Sequence, residues 1–371
     1  MSNKKRIAII THGGVGVGHN QQGVPATMLM IEHLAEEFDV TVYSLEKYNL
    51  LFVANNYTAI DVPLTHKNNL TVRIIWLSFL LLKNHLQKPY QVFHGLWGFP
   101  GGLMAVFFAK LFRKKSVVAF KGAEVVALPA INYGLFIYKR DKAIIKWVAK
   151  QADSLIALSH YYAAKMKVVL QYKSLQIIYS GITANQQPIN PFQPKEKYTF
   201  LHVANLNKVK NQAMLLKAFS IISSTINAEL HIIGLDTLDG EIQLLAKEMN
   251  IDKQVIFHGI LTQQELIPYY KKADIFLLTS FSESQAVVVN EAMNYGVVVC
   301  GTRVGLIADL ENKATLAVDI NDAATLAEKV LHLLNHPQQY NQLQQYGFNW
   351  TKEFDINWTT QQSSQLYQQL S

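Results

Sequence analysis

Short apolar runs alternate with amphipathic stretches through the first half of the chain. Residues 6–10 read as a strand, followed by a glycine-rich loop and a helix near 25–37. Further apolar runs at 39–43, 92–94, 116–120 and 154–158 are each separated by a helical pattern. Strands alternating with helices predict a parallel sheet covered on both faces. The stretch 183–197 breaks this rhythm with Pro188, Pro191 and Pro194 among Asn and Gln, and reads as a linker. A second series begins at Tyr198. Its strands are predicted over 198–203, 229–233, 255–258, 274–279 and 297–300, and Gln-rich helices follow Pro337.

Length and composition sharpen this into two domains. A chain of 371 residues exceeds one ordinary core. The expected division is 1–185, a linker at 186–197, a second α/β domain at 198–350, and a last helix at 351–371 packing back towards the first domain. Half the residues are hydrophobic and 16% are charged, which excludes a disordered chain. The single cysteine, Cys300, can form no intrachain disulfide, so a reducing, cytoplasmic setting is expected. No run reaches the roughly 18 apolar residues that span a bilayer. The apolar part of 7–10 is too short for a secretion leader and reads as the first strand.

Charge separates the two halves. Residues 1–190 hold 21 Lys and Arg against 9 Asp and Glu, a balance of +12, while the remainder stands at −5. The basic half suits an anionic partner: nucleic acid, an anionic membrane surface or a phosphorylated acceptor. Nucleic acid is disfavoured because no basic motif interleaved with aromatics is present.

Three stretches carry candidate chemistry. The first is Gly13-Gly14-Val15-Gly16-Val17-Gly18, between a strand and a helix. It is either a tight turn or a place where a phosphate or sugar approaches backbone N–H groups. It matches neither the dinucleotide fingerprint nor the Walker pattern. The second runs from Val203 to Asn211 and contains Asn205, Lys208 and Lys210 where the first strand of the second domain hands over to its helix. Lys210 is placed either to meet a diphosphate or as a solvated loop charge, since ligands of open parallel sheets bind at the carboxyl ends of strands.

The third stretch is Thr279-Ser280-Phe281-Ser282-Glu283-Ser284-Gln285-Ala286-Val287, continuing through Glu291 to Met293. A helix is expected to begin near Ser284 and end by Gly296, with its first-turn N–H groups facing an anion. Along such a helix Glu283 and Glu291 would lie about 10–12 Å apart, bracketing a diphosphate with a carboxylate on each side. The apolar run 286–289 implies that the helix is buried, and a buried Glu needs a partner.

These residues resemble the family-4 retaining glycosyltransferases, the glycosyl transferases group 1. Glu283 and Glu291-Ala292-Met293 look like that family's donor-site signature. Val255-Ile256-Phe257-His258-Gly259, Lys271-Lys272-Ala273-Asp274-Ile275-Phe276-Leu277 and Thr302-Arg303-Val304-Gly305 agree with it in order and spacing. The resemblance implies the α/β GT-B fold, two Rossmann-like doubly wound domains facing across a cleft. It implies a sugar moved from a nucleoside-diphosphate sugar to a glycan or lipid-linked acceptor, with retained configuration and neither metal nor cofactor. Surface polysaccharide or glycolipid assembly is the expected setting.

By the same resemblance Glu291 binds the ribose, and Glu283 with Ser284, Gln285, Ala286 and Val287 faces the sugar. Lys210 holds the diphosphate, joined by Gly259 on the donor side and by Gly14 and Gly16 from the other domain. Asn205 stands where the family usually has Arg, with Lys208 or Arg303 expected to supply the missing charge. Lys121-Gly122-Ala123-Glu124 stands where a His-Gly stretch is usual, which makes Lys121, His94 and His19 candidates beside the reacting carbon. In the acceptor domain Lys110, Arg113, Lys114 and Lys115, with the apolar segment 74–82, suit a peripheral enzyme on the inner face of a membrane. Two other readings use the same scaffold: a sugar-nucleotide epimerase, and a catalytically impaired sugar-nucleotide-binding protein.

Overall fold

A parallel strand with helices on both sides has to be apolar on both faces, and the inner strands of this chain are. The computed structural model describes residues 4–16, 23–63 and 69–370. It divides into one unit over Met1–Gly181 and Ile356–Ser371 and a second over Ile182–Asp355.

Among the described residues the first unit contains a seven-stranded parallel sheet in the order β3-β2-β1-β4-β5-β6-β7. Its strands are β1 (Arg6–Thr11), β2 (Asp39–Ser44), β3 (Thr58–Ile60), β4 (Val92–Leu96), β5 (Lys115–Phe120), β6 (Ser154–Ala157) and β7 (Leu175–Ile177). Its helices are α1 (Pro25–Glu37), α2 (Leu70–Gln87), α3 (Leu103–Leu111), α4 (Lys139–Gln151) and α5 (His160–Val169), joined by the chain's last helix, Ile356–Leu370. Side chains alternate across each strand. Ile7 and Ile9 therefore join Ile31 and Leu34 of α1 and Ile356, Leu366 and Tyr367 of the last helix. Ala8 and Ile10 join Leu77 and Leu81 of α2 and Met104 and Phe108 of α3 on the opposite face.

The second unit has a six-stranded parallel sheet in the order β10-β9-β8-β11-β12-β13. The strands are β8 (Tyr198–Val203), β9 (Ala228–Ile233), β10 (Val255–Phe257), β11 (Ile275–Leu278), β12 (Val298–Thr302) and β13 (Thr315–Val318). Their helices are α6 (Gln212–Thr225), α7 (Glu241–Glu248), α8 (Gln263–Lys272), α9 (Val287–Asn294), α10 (Gly305–Asp309), α11 (Ala323–Leu334) and α12 (Pro337–Glu353), and the last helix is α13. Local chemistry sets their starts: Pro25 opens α1, and Thr262 with Glu265 forms a capping box on α8. In both sheets the strand order reverses direction, between β1 and β4 and between β8 and β11. Loops leaving the carboxyl ends of those strand pairs diverge and open a crevice.

Three strands lie outside the predicted runs: β3, β7 and β13, of three, three and four residues, all at sheet edges. Short edge strands need little periodicity, because one neighbour pairs them. The stretch 186–197 is not a loose tether. Phe192 is buried in the second core, stacked on Tyr340 at 4.0 Å, and its N–H donates to Asn341 Oδ1 at 2.7 Å.

Helix α13 is integral to the first unit. Thr359 Oγ1 accepts from Gly181 N–H at 2.9 Å, and Ser364 donates to Glu37 at 2.5 Å. Ile356, Leu366 and Tyr367 are buried, and such a side chain contributes about 1.5–3 kcal/mol each. Against a domain stability of roughly 5–15 kcal/mol, losing all three is disabling. A chain ending at Asp355 is therefore expected to lose cooperative unfolding of its first unit and to be digested there by protease. An unchanged melting profile of the truncated chain would contradict this packing.

Candidate functional site

The loops after β8 and β11 meet at the switch point of the second sheet. After β8 the chain makes one tight turn at Lys208–Lys210, capped by the Asn207 side chain, which accepts from Lys210 N–H at 3.2 Å. Thr279, just past β11, donates to the carbonyls of Lys210 and Asn211 at 3.2 and 3.0 Å, and Phe281 N–H donates to Val209 O at 2.8 Å. Lys210 and Glu283 are thereby brought together from 73 residues apart.

Their side chains make an ion pair, Lys210 Nζ to Glu283 Oε1 at 2.5 Å, with Ser280 Oγ donating to the same oxygen at 2.6 Å. Both side chains are largely covered, at 22% and 12% exposure, so solvent screens this pair less than a surface one. Thr302 of β12 donates to Ser280 O at 2.7 Å and Leu306 N–H to Gln285 O at 2.9 Å, which fixes the 279–286 loop from the far side. Gly305 has φ +53, and a Cβ there would stand 2.7 Å from Gln285 O and 3.0 Å from the Glu283 Cβ. Only glycine lets the two loops approach so closely.

The helix expected from Ser284 starts three residues later. Helix α9 opens at Val287 after Ala286, whose φ of 70 is left-handed. Residues 283–286 are therefore loop, and the spacing of Glu283 from Glu291 does not follow from helical rise. Ser284 and Gln285 are buried in that loop, and Ala286 and Val287 are half-buried.

Glu291 lies on the covered face of α9. Its Oε2 accepts from Tyr270 O–H at 2.7 Å and its Oε1 from Gln263 Nε2 at 3.1 Å. Burial raises its pKa above the ordinary 4.5, and these two donors pull it back. The Tyr270 hydroxyl is pushed well above its ordinary value by burial and by this carboxylate, so the shared proton stays on the phenol. Periodicity gave no hint of Tyr270 or Gln263, which reach Glu291 from α8. The readable signal was only that a buried Glu needs partners.

His202, in β8, is a further residue that motif reading passes over. It is fully buried, and burial lowers its pKa to about 4, with Lys210 also opposing protonation. A carbonyl can only accept, so Nδ1–H donates to Leu277 O at 2.8 Å and Nε2 receives the Gln212 amide at 3.3 Å. His202 thus ties β8 to β11 beneath the Lys210 turn.

Several expected residues are placed elsewhere. Asn205 is exposed, and its Oδ1 accepts from Leu235 N–H at 3.2 Å, joining the loops after β8 and β9. Arg303 supplies no free charge: its guanidinium holds Glu311 with two 2.8 Å bonds and also binds Asp319. Lys208 is exposed on the turn, and Gly259 is exposed at the end of β10 with φ +69 and open space around it.

The first unit holds the remaining candidates. His94 is mid-strand in β4, not at a strand end, and is 1% exposed. Its Nδ1 meets Tyr367 O–H of α13 at 2.6 Å, and burial and Lys121 lower its pKa to about 3, so the ring is neutral and enclosed in the core. Lys121, just past β5, donates to Thr27 Oγ1 at 2.7 Å and lies 5.6 Å from the Trp97 ring. Burial lowers its pKa to about 8. Glu124 is buried and holds this turn, accepting from Gly98, Lys121 and Gly122 N–H at 3.2, 3.0 and 2.7 Å and from Tyr162 O–H at 3.2 Å. Gly14 and Gly16 have positive φ and pack against Trp97 and Phe52, while His19, Val17 and Gly18 lie outside the described residues. Lys110, Arg113 and Lys115 are exposed and Lys114 half-buried.

A carboxyl whose folded pKa is raised favours folding below its unfolded value, and that contribution is lost as pH rises through the folded one. The stability difference between the protein and its Glu291→Gln variant should therefore shift against the protein as pH rises above 4.5. Tyr270→Phe should cost about 1.5–3 kcal/mol at neutral pH by removing a hydrogen bond to a buried charge. Urea unfolding across pH checks both, and a flat pH difference would contradict a buried Glu291.

Comparison with known proteins bears on this arrangement. The family described as glycosyl transferases group 1 matches residues 185–350. The N-acetyl-alpha-D-glucosaminyl L-malate synthase of Bacillus anthracis is 25% identical over 245 residues, covering 62% of this chain and 61% of that protein. The D-inositol 3-phosphate glycosyltransferase of Corynebacterium efficiens is 32% identical over 125 residues, covering 33% of this chain and 30% of that protein. The chain thus aligns with about three fifths of the first relative's length and less of the second's. Sucrose-phosphate synthase from Thermosynechococcus elongatus superimposes with a TM-score of 0.81 at 20% identity over 99% of both chains. HepE of Anabaena, solved with UDP and glucose, does so with a TM-score of 0.77 at 13% identity over 99% of this chain and 100% of its own. These structures show the GT-B fold, and residues 185–350, most of the second unit, match the group 1 glycosyl transferases.

Proposed function

We propose that the chain transfers a sugar, with retention, from a nucleoside-diphosphate sugar to a glycan or lipid-linked acceptor. The observation that carries the reading is the Lys210–Glu283–Ser280 cluster at the switch point, with Glu291 held nearby in sequence by Tyr270 and Gln263. Support comes from the HepE structure with UDP and glucose and from the relatives named as a glucosaminyl L-malate synthase and an inositol 3-phosphate glycosyltransferase.

In this reading the ion pair is the resting state of the donor site. A diphosphate draws the Lys210 ammonium, and the released Glu283 carboxylate accepts from a sugar hydroxyl. Glu291 accepts from the ribose hydroxyls, because an ionised carboxylate only accepts. The bond from the anomeric carbon to the diphosphate oxygen breaks, and its electron pair stays on the leaving phosphate. The acceptor oxygen bonds to the same face of the sugar, and its proton passes to that phosphate oxygen. Lys210 and the backbone N–H groups of Gln285 to Val287 stabilise the growing charge. The site then needs no metal and no cofactor. Lys110, Arg113, Lys114 and Lys115 place the acceptor at an anionic membrane surface, on the cytoplasmic face.

Lys210→Ala is expected to lower kcat by about 10²–10³ with modest change in KM, the effect of removing one preorganised donor from a developing oxyanion. Glu291→Ala is expected chiefly to weaken donor binding, read as a lost thermal shift with UDP-sugars. Full activity in both variants, or inactivation of the protein by EDTA, would overturn the mechanism. Product analysis with donor alone separates transfer from epimerisation.

A further inference from the structure

Helix α2 is apolar on two sides, and among the described residues only one of them is covered. Leu77 and Leu81 face the sheet, in the core shared with Met104 and Phe108 of α3. Ile75, Phe79 and Leu86 point the other way and are 63%, 59% and 70% exposed, with Trp76 beside them at 40%. Positions 75, 79 and 86 fall on one helical stripe. The two helices pack on the same face of the sheet, and His85 of α2 stacks on Phe112 just past α3 at 3.9 Å. Phe107 and Leu111 of α3 are exposed as well, at 54% and 57%. An exposed apolar stripe of this kind marks an interaction site.

The charge around it selects the partner. From Val62 to Ala123 the sequence contains no Asp or Glu and nine Lys and Arg. Lys83, Lys110, Arg113 and Lys115 are exposed around the two helices. A second copy of the chain seated on this face would bring like charges together. An anionic lipid surface meets both features, taking the apolar stripe among acyl chains and the basic rim at the headgroups. Helix α2 has 18 residues, about 27 Å at 1.5 Å per residue, and would lie flat. No helix among the described residues is long and apolar enough to cross a membrane.

We propose that α2, with the outer side of α3, inserts into the interface of an anionic bilayer and holds the first unit on the membrane. This rests on the membrane half of the proposed function, and it adds apolar insertion to simple charge attraction.

Co-sedimentation with vesicles of phosphatidylcholine and phosphatidylglycerol tests it, with the full chain at about 0.1 M NaCl. The protein should bind these vesicles, with a blue shift in tryptophan emission that Trp76→Phe removes. Phe79→Ser with Leu86→Ser should weaken binding at least about ten-fold, while the thermal shift with UDP-sugars stays unchanged and confirms folding. Equal binding by the double variant would overturn the insertion and leave charge attraction standing. Failure of the unaltered protein to bind would overturn both, without touching donor binding. A concentration-dependent dimer broken by the same two substitutions would assign the face to a second copy and overturn the proposal.

Discussion

Everything in each unit follows from the need to bury both faces of a parallel strand. Ile7 and Ile9 look one way and Ala8 and Ile10 the other, and each set requires helices above it. A right-handed crossover can cover both faces only if the chain winds outward in two directions from one central strand. Those strands are β1 and β8, beside β4 and β11. The crevice at each reversal is a geometric by-product of covering two faces, and chemistry collects there because backbone groups at the strand ends are left without sheet partners.

Carboxylates near these crevices differ in how they are stabilised. Glu124 is answered mostly by backbone N–H groups of its own loop, so it shapes the turn carrying Lys121. Glu291 is answered by side chains from a neighbouring helix, and its pKa stays raised because two donors do not replace full hydration. Glu283 has the Lys210 ammonium as its main partner. A Lys ammonium on a flexible stem is easier to exchange for a ligand than a fixed amide. The least committed carboxylate is therefore the one best suited to meet a substrate.

The surface of the first unit shows the converse problem. Helix α2 satisfies the sheet with one stripe and leaves a second stripe uncovered. An exposed apolar helix surface lowers solubility unless something covers it, and over 62–123 the charged residues are all Lys and Arg, so what covers it has to accept positive charge.

The sequence by itself determined the alternation of strands and helices, the two cores and the candidate loops around Lys210 and Glu283. These depend on side-chain periodicity and turn chemistry, both local. It missed β3, β7 and β13, runs of only three or four residues at sheet edges. Only the tertiary structure decided that Lys210 pairs with Glu283, that Tyr270 and Gln263 hold Glu291, and that His202 braces β8 against β11. It also closed His94 into the core against Tyr367 and turned Arg303 towards Glu311 and Asp319. The reason is the same throughout. A side chain's partner is chosen by which loops the sheet order brings together, and contacts 8 to 273 residues apart leave no mark on local pattern.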